Sequence, residues 1–190
     1  MASKSVEIEI KLAVRDAGAV RRGLRRTGFR PAGRERERDT VLDTPGLALR
    51  HAGSLLRLRR HGRRWTLTYK GPAATDTRYK TRPEFETQVA DGNRLLEIFA
   101  NLGYRPMFMY EKRRANYRPA RGRGVASLDV TPIGTYLELE GPRSWIDRTA
   151  RALGFHPQHY ITESYGALYF EYCRERGIRP ANMVFKASEG

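Results

Sequence analysis

Alternation of charged and apolar side chains along short segments constrains this fold more than any other sequence feature. In residues 6–12 the even positions are apolar, so Glu7, Glu9 and Lys11 share the opposite face of a strand. At least six segments divide into an apolar and a charged face in this way. Eight period-2 segments predict eight strands: Val6–Leu12, Glu35–Asp43, Leu55–Arg60, Arg64–Lys70, Arg82–Val89, Phe108–Arg118, Val125–Thr131 and Tyr136–Glu140.

Four helical patterns lie between and after these segments, and each is followed by a glycine that fits a helix C-terminus. They are Asp16–Thr27, Asn93–Leu102, Ser144–Leu153 and Glu163–Arg176. Most consecutive strands are joined by short turns, which favours antiparallel pairing. The predicted class is α+β, with an eight-stranded antiparallel barrel or large sheet and helices packed outside.

Length and composition indicate one domain and exclude several classes of protein. The chain has 190 residues, enough for one domain with a core at about residues 5–177 and a C-terminal tail at 178–190. No apolar run approaches the roughly 20 residues of a spanning helix, and residues 1–12 lack a secretion signal. We therefore expect no membrane partner and a cytoplasmic location. The single cysteine, Cys173, cannot form an internal disulfide.

Net charge points to a polyanionic partner. The chain carries 36 Lys and Arg against 21 Asp and Glu, a formal net charge of +15. Such an excess fits nucleic acid, phosphorylated metabolites or an anionic membrane surface, and does not choose among them.

The charged strand faces indicate a metal and phosphate site. Carboxylate pairs two residues apart recur at positions 7/9, 84/86 and 138/140. Paired carboxylates repel each other unless a cation lies between them, and a hard divalent ion such as Mg²⁺ or Mn²⁺ prefers oxygen ligands. Closing eight strands into a barrel would bring these carboxylates and the Arg and Lys pairs into one lumen.

The ordered set of motifs resembles the CYTH family, also called triphosphate tunnel metalloenzymes. The motifs are VEIEIKL, LRLR, LTYKGP, RPEFE, YEKRRANY and LDVTPIGTYLELEG, which together span about residues 5–170. The family includes class IV adenylate cyclases, thiamine triphosphatases and bacterial tripolyphosphatases. The resemblance implies an eight-stranded antiparallel tunnel with helices outside.

The resemblance also assigns roles to the charged residues. It implies one or two divalent ions held by Glu7, Glu9, Asp129, Glu138 and Glu140. It implies a triphosphate bound by Lys11, Arg57, Arg59, Lys70, Lys112 and Arg114. Arg82, Glu84 and Glu86 match a family segment as well; Arg82 is expected at the substrate, or all three form a supporting ion-pair layer. Lys80 is either a phosphate contact or a solvated turn residue.

Phosphoryl transfer depends mostly on positioning and charge neutralisation, so arginine forks are suited to catalysis. We assign this role to Arg57, Arg59 and Arg114. Lys11 is the candidate general base or water-orienting group, since crowding by Arg57 and Arg59 would lower the pKa of its amine, although nearby carboxylates act oppositely.

The sequence leaves the reaction open. Hydrolysis of tripolyphosphate, a nucleoside triphosphate or thiamine triphosphate is favoured over cyclisation of ATP, because no residue set can be assigned to adenine. Phe108, Tyr110 and Tyr136 are available aromatics but are expected to pack. Tyr165 and Tyr169 are expected to pack as well; the alternative, which the resemblance implies, is that a C-terminal helix closes the tunnel mouth and brings one of them to the substrate. Nucleic acid is disfavoured as the partner, because it gives lumen carboxylates no role. A protein that binds polyphosphate without turnover and a homodimer are further alternatives.

Overall fold

The computed structural model describes residues 5–74 and 78–186, and this part of the chain forms a closed antiparallel barrel of eight strands. The strands are β1 (Ser5–Val14), β2 (Phe29–Asp43), β3 (Leu55–His61), β4 (Arg64–Lys70), β5 (Lys80–Val89), β6 (Arg105–Pro119), β7 (Val125–Thr131) and β8 (Gly134–Glu140). Their order around the barrel is β1-β5-β4-β3-β2-β6-β7-β8. The predicted fold class and all eight strands are confirmed.

Five helices surround the barrel. They are α1 (Ala17–Arg26), α2 (Ala48–His51), α3 (Gly92–Asn101), α4 (Arg143–Ala152) and α5 (Tyr165–Glu175), with one 3₁₀ turn at Pro157–His159. Side chains of Asp16, Asp91 and Ser164 accept backbone N–H bonds at the starts of α1, α3 and α5. The four predicted helices are present. The sequence did not predict α2, because four residues are too few to show a helical period.

The apolar core lies outside the barrel, beneath the helices. Ile10, Leu12, Leu137 and Leu139 on the outer faces of β1 and β8 are fully buried and belong to a cluster that includes residues of α1 and α4. A second cluster packs leucines of β2 and β3 against α3. Because outer faces carry the apolar side chains, inner faces are left to the charged ones.

The predicted tail packs against the barrel as far as the structure describes it. Met183 is 1% exposed and exchanges backbone hydrogen bonds with Met109 and Glu111 of β6. The chain there runs parallel to β6 at Tyr110. Residues 187–190 of the predicted tail lie outside the described residues.

Within the described ranges, no helix is long and apolar enough to cross a membrane.

Substitution of Gly92 tests the packing of α3 on the barrel. A Cβ atom at this position would lie 2.1 Å from the Trp65 ring, whereas one at Gly46 would meet nothing within 4 Å. We expect Gly92→Ala to lower the free energy of unfolding by about 1–3 kcal/mol, the usual cost of overpacking. Gly46→Ala is the matched control and should change it by less than about 0.5 kcal/mol. Urea unfolding measures both, and equal stabilities would contradict the packing described.

Candidate active site

The inner faces of the strands enclose a charged cavity of about 360 Å³. Eight cations and six carboxylates line it, which is unusual because charged side chains are seldom buried together unless they are paired. The cations are Lys11, Arg57, Arg59, Lys70, Lys80, Arg82, Lys112 and Arg114; the carboxylates are Glu7, Glu9, Glu84, Glu86, Glu138 and Glu140. Every predicted substrate-binding residue lines this cavity, as do four of the five predicted metal ligands.

The six carboxylates occupy one side of the cavity, which we call the acid wall. They come only from β8, β1 and β5, which are consecutive strands of the barrel. In the β1–β8 ladder Glu9 is directly opposite Glu140, and Lys11 is opposite Glu138. Such cross-strand partners lie close enough to interact.

Four cations face the acid wall from the other side, and we call them the basic wall. Arg57 and Arg59 lie on β3, and Lys112 and Arg114 lie on β6. Strand β2 separates β3 from β6 and lies across the barrel from β1. The closed sheet therefore sets acids and cations on opposing sides of one lumen.

Three buried carboxylates behind the basic wall hold its cations in place. Asp39 accepts from Arg59 Nε at 2.8 Å and lies 3.6 Å from Arg57 Nε. Glu37 lies 3.1 Å from Arg59 Nη1 and 3.3 Å from Lys112 Nζ. Asp129 accepts from Lys112 Nζ at 3.0 Å and from Arg114 Nε at 2.7 Å. We call these three residues the anchors.

The anchors are buried and do not line the cavity. Asp39 and Asp129 are 0% exposed and Glu37 is 2% exposed. Burial opposes the charge on Asp39, but Arg59 and Arg57 outweigh it and lower the pKa of the carboxyl to about 2. Asp129 was predicted as a metal ligand; its contacts favour an anchoring role, and a ligand role stays a prediction.

Lys11 lies among the carboxylates of the acid wall, and its amine remains protonated. Its Nζ lies 3.1 Å from Glu9 and 3.3 Å from Glu138, while Arg114 pairs with the same Glu138. Burial opposes the charge on Lys11, yet Glu9 and Glu138 raise its pKa above the ordinary value. The expected lowering of the Lys11 pKa is therefore wrong. A protonated amine can hold an anion but cannot act as a general base.

Lys70, Lys80 and Arg82 extend the cation set along β4 and β5. Lys70 Nζ lies 2.6 Å from Glu7 and 3.2 Å from Glu84, and Lys80 Nζ lies 3.1 Å from Glu9. Burial, followed by Lys11 and Arg82, lowers the pKa of Lys80 to about 8. Lys80 thus lies in the cavity and not in a solvated turn.

Two arginines keep unused hydrogen-bond capacity. Arg57 and Arg82 are each 8% exposed, and the Nε atom of each is buried without a hydrogen-bond partner. Such donors cost free energy unless an acceptor arrives, so they favour a ligand with several anionic oxygens.

The open part of the acid wall has the chemistry for a divalent cation. Desolvation and the carboxylates of Glu7, Glu9 and Glu84 raise the pKa of Glu140 to about 7. The pKa of Glu7 is also raised, by burial and by Glu9. Excess negative charge on oxygen donors fits Mg²⁺ or Mn²⁺. Within the described ranges no three potential ligands are already arranged as a metal site, since most of these carboxylates pair with Lys or Arg.

Sequence analysis missed two of the residues that shape the cavity. Glu37 and Asp39 alternate with arginines in β2, and this period-2 pattern could have placed both on the inner face. Tyr165 of α5 was expected to pack, with a contact at the tunnel as the alternative; its hydroxyl donates to Asp129 at 2.8 Å and its ring lies 5.3 Å from Lys11 Nζ. Only the docking of α5 brings Tyr165 into the cavity.

A cleft of about 530 Å³, which has an apolar wall, adjoins the charged cavity. The two share Leu55, Lys80, Arg82, Tyr110, Ser164 and Tyr165. Phe108 of β6 and Phe170 of α5 line the cleft, with ring centroids 5.8 Å apart. An apolar group joined to an anionic chain would fit across this boundary.

Comparison with known proteins identifies the family. The sequence profile of the CYTH domain matches residues 5–150. The chain belongs to the CYTH domain family. Members of this family are triphosphatases or class IV adenylate cyclases, depend in general on metal ions and act on triphosphate substrates. The predicted enzyme class is confirmed at this level.

The descriptions of similar proteins mention both activities. A protein of Methanocaldococcus jannaschii described as a candidate adenylate cyclase is 30% identical over 149 residues, covering 78% of this chain and 83% of that protein. A Vibrio parahaemolyticus structure described in the same way has a TM-score of 0.77 at 19% identity, over 87% of this chain and 98% of that chain. A Hippeastrum protein, described as a candidate adenylyl cyclase with dominant triphosphatase activity, has a TM-score of 0.65 at 17% identity, over 92% and 97%. The two structures establish the shared fold alone.

Substitution of Asp129 tests the role of the anchors in holding the cations of the basic wall. We expect Asp129→Asn to lower the free energy of unfolding by about 3–5 kcal/mol, because Lys112 and Arg114 lose a buried counter-charge. Glu86→Gln removes an exposed carboxylate of the same lumen, and should cost less than about 1 kcal/mol. Urea unfolding of both variants checks this. Equal stabilities would contradict the distinction between anchors and acid wall.

Proposed function

We propose that the chain is a divalent-metal-dependent triphosphatase that hydrolyses a phosphoanhydride bond inside the tunnel. The candidate substrates are inorganic tripolyphosphate, a nucleoside triphosphate and thiamine triphosphate. One observation carries the proposal: an acid wall and an anchored basic wall face each other across a single cavity of about 360 Å³.

The basic wall suits the phosphate chain. Arg57, Arg59 and Arg114 present planar guanidinium groups, which pair with two phosphate oxygens at once, while Lys112 provides a compact charge. The anchors fix all four cations before substrate arrives, so little reorganisation is needed as charge develops during the reaction. Lys11, Lys70 and Arg82 complete the proposed phosphate contacts.

Hydrolysis needs little covalent help from the protein. Water attacks the terminal phosphorus, a new P–O bond forms, and the bond to the bridging oxygen breaks, while the proton of the water passes to a non-bridging oxygen of the transferred phosphoryl group. The departing oxygen carries the new negative charge, which the arginines would neutralise. Lys11 stays protonated and binds phosphate oxygens instead of taking the proton.

The divalent ion would be held on the acid wall by Glu7, Glu9, Glu138 and Glu140. When bound there, Mg²⁺ or Mn²⁺ would supply positive charge to phosphate oxygens from the side opposite the arginines. The raised pKa of Glu7 and Glu140 supports this assignment, since burial and the neighbouring carboxylates disfavour the negative charge of both groups and a bound cation would stabilise it.

Product analysis tests the proposal. Purified protein is incubated with Mg²⁺ or Mn²⁺ and, separately, with tripolyphosphate, ATP and thiamine triphosphate, and products are followed by ³¹P NMR and nucleotide chromatography. We expect orthophosphate. Glu138→Gln/Glu140→Gln should reduce turnover about 100-fold or more, the scale of losing a preorganised electrostatic contact.

Glu97→Gln provides the control for that variant, because Glu97 is exposed on α3 and pairs with Arg94 outside the tunnel. It should leave turnover unchanged. Metal-independent turnover, or full activity of the acid-wall variant, would count against the proposal.

A class IV adenylate cyclase is the second candidate, and the cleft beside the tunnel favours it. Phe108, Tyr110 and Phe170 give the cleft aromatic surfaces on which a nucleotide base could pack. Cyclic AMP and pyrophosphate from ATP would establish this alternative in the same assay. Loss of turnover of ATP but not of tripolyphosphate in Phe108→Ala would place the base in the cleft.

Lys80 makes substrate binding depend on pH. With a pKa of about 8, the amine loses its positive charge as pH rises above 8. We expect KM for tripolyphosphate to rise about tenfold between pH 7 and pH 10, as one charge-assisted hydrogen bond is lost. Lys80→Arg should keep KM low throughout, and Lys80→Gln should give the high value at both ends. Steady-state kinetics across pH checks this, and identical profiles for all three proteins would refute the assignment.

A single domain over residues 1–190, a cytoplasmic location and a homodimer remain predictions. Tight binding of tripolyphosphate without any product would instead support the alternative of a non-catalytic polyphosphate-binding protein.

A further inference from the structure

The tunnel does not account for the positive charge of the chain. Its wall, with the anchors included, carries eight cations and nine carboxylates. The tunnel therefore has a net charge of −1, and the rest of the chain, with 28 Lys and Arg against 12 Asp and Glu, has +16. A triphosphate in the lumen gives this outer charge no role.

Part of that charge is concentrated where four segments meet. These are the end of α1, the start of β2, the end of β6 and the loop between β6 and β7. Arg30 is paired in register with Arg118, and Ala120 N–H donates to the carbonyl of Gly28. Six exposed arginines, which we call the arginine face, lie on these segments near this junction: Arg25, Arg26, Arg30, Arg118, Arg121 and Arg123.

The arginine face lacks counter-charges. Residues 17–34 and 112–128 contain no Asp or Glu. None of the six arginines has a carboxylate within 4.0 Å among residues 5–74 and 78–186. Arginine forks that stay unpaired beside one another repel, so the face favours a partner with a dense array of anionic oxygens.

The surroundings favour nucleic acid over a membrane surface. A membrane-binding face needs apolar side chains beside its cations. The exposed large hydrophobic residues lie elsewhere, at positions such as Phe85, Leu102 and Phe170. Residues 25–34 and 118–123 contain a single aromatic, Phe29, which is buried, so stacking on unpaired bases is not available.

We propose that the arginine face binds the phosphate backbone of a nucleic-acid duplex without reading its sequence. A duplex is too large for the tunnel, so this binding takes place on the outer surface, separately from the proposed hydrolysis. It is driven by arginine–phosphate contacts and release of counterions.

Fluorescence anisotropy with a labelled DNA duplex and with a duplex of unrelated sequence tests the proposal. We expect similar affinities for both, with log K falling by about 4–5 per decade of NaCl for some four to six phosphate contacts. Arg26→Gln/Arg121→Gln/Arg123→Gln should weaken binding at least tenfold and reduce the slope by about 3. Triphosphatase activity should not change, because α1 and the loop between β6 and β7 lie outside the tunnel.

Matched variants separate the face from net charge and from the tunnel. Arg63→Gln/Arg94→Gln/Arg174→Gln removes the same charge from other surfaces and should bind duplex normally. Lys80→Gln/Arg82→Gln, inside the tunnel, should bind duplex normally too. An equal loss in either control would overturn the proposal, as would undetectable duplex binding.

Vesicles that contain phosphatidylglycerol distinguish a membrane from nucleic acid. We expect no difference in vesicle binding between wild type and the arginine-face variant. A loss of vesicle binding with unchanged duplex binding would assign the face to anionic lipid and overturn the proposal.

Discussion

The pairing of three buried carboxylates with four cations is the interaction on which the site depends. Glu37, Asp39 and Asp129 are desolvated, and removing one partner of such a buried pair costs several kcal/mol. Their contacts link β2 to β3 and β6, and β6 to β7. The same contacts that join these strands therefore fix the guanidinium and ammonium groups that face the lumen.

Strand order turns this pairing into a two-sided tunnel. The carboxylates of β8, β1 and β5 lie together because these strands are neighbours, while β3 and β6 flank β2 on the other side. In this lumen Glu140 has too little counter-charge around it. Arg57 and Arg82 each have an Nε donor without an acceptor. A metal ion and a phosphate chain together would satisfy both, which neither would do alone.

Much of this could be predicted from the sequence, because strand period is a local property. Alternation alone places Glu7, Glu9 and Lys11 on one face and Ile8 and Ile10 on the other, and the structure has them so. The pKa of Lys11 could not be predicted, since it depends on the balance between neighbours from different strands. The sequence suggested Arg57 and Arg59 as its neighbours, whereas Glu9 and Glu138 contact it.

The sequence by itself therefore determined the strands, the division of at least six of them into an apolar and a charged face, and most of the charged residues that line the lumen. Only the tertiary structure decided which charges meet. Register placed Glu9 opposite Glu140, closure of the barrel put Asp129 behind the cations, and docking of α5 brought Tyr165 against Asp129. These are contacts between residues far apart in the chain, and they exist only once the barrel closes and the helices pack on it.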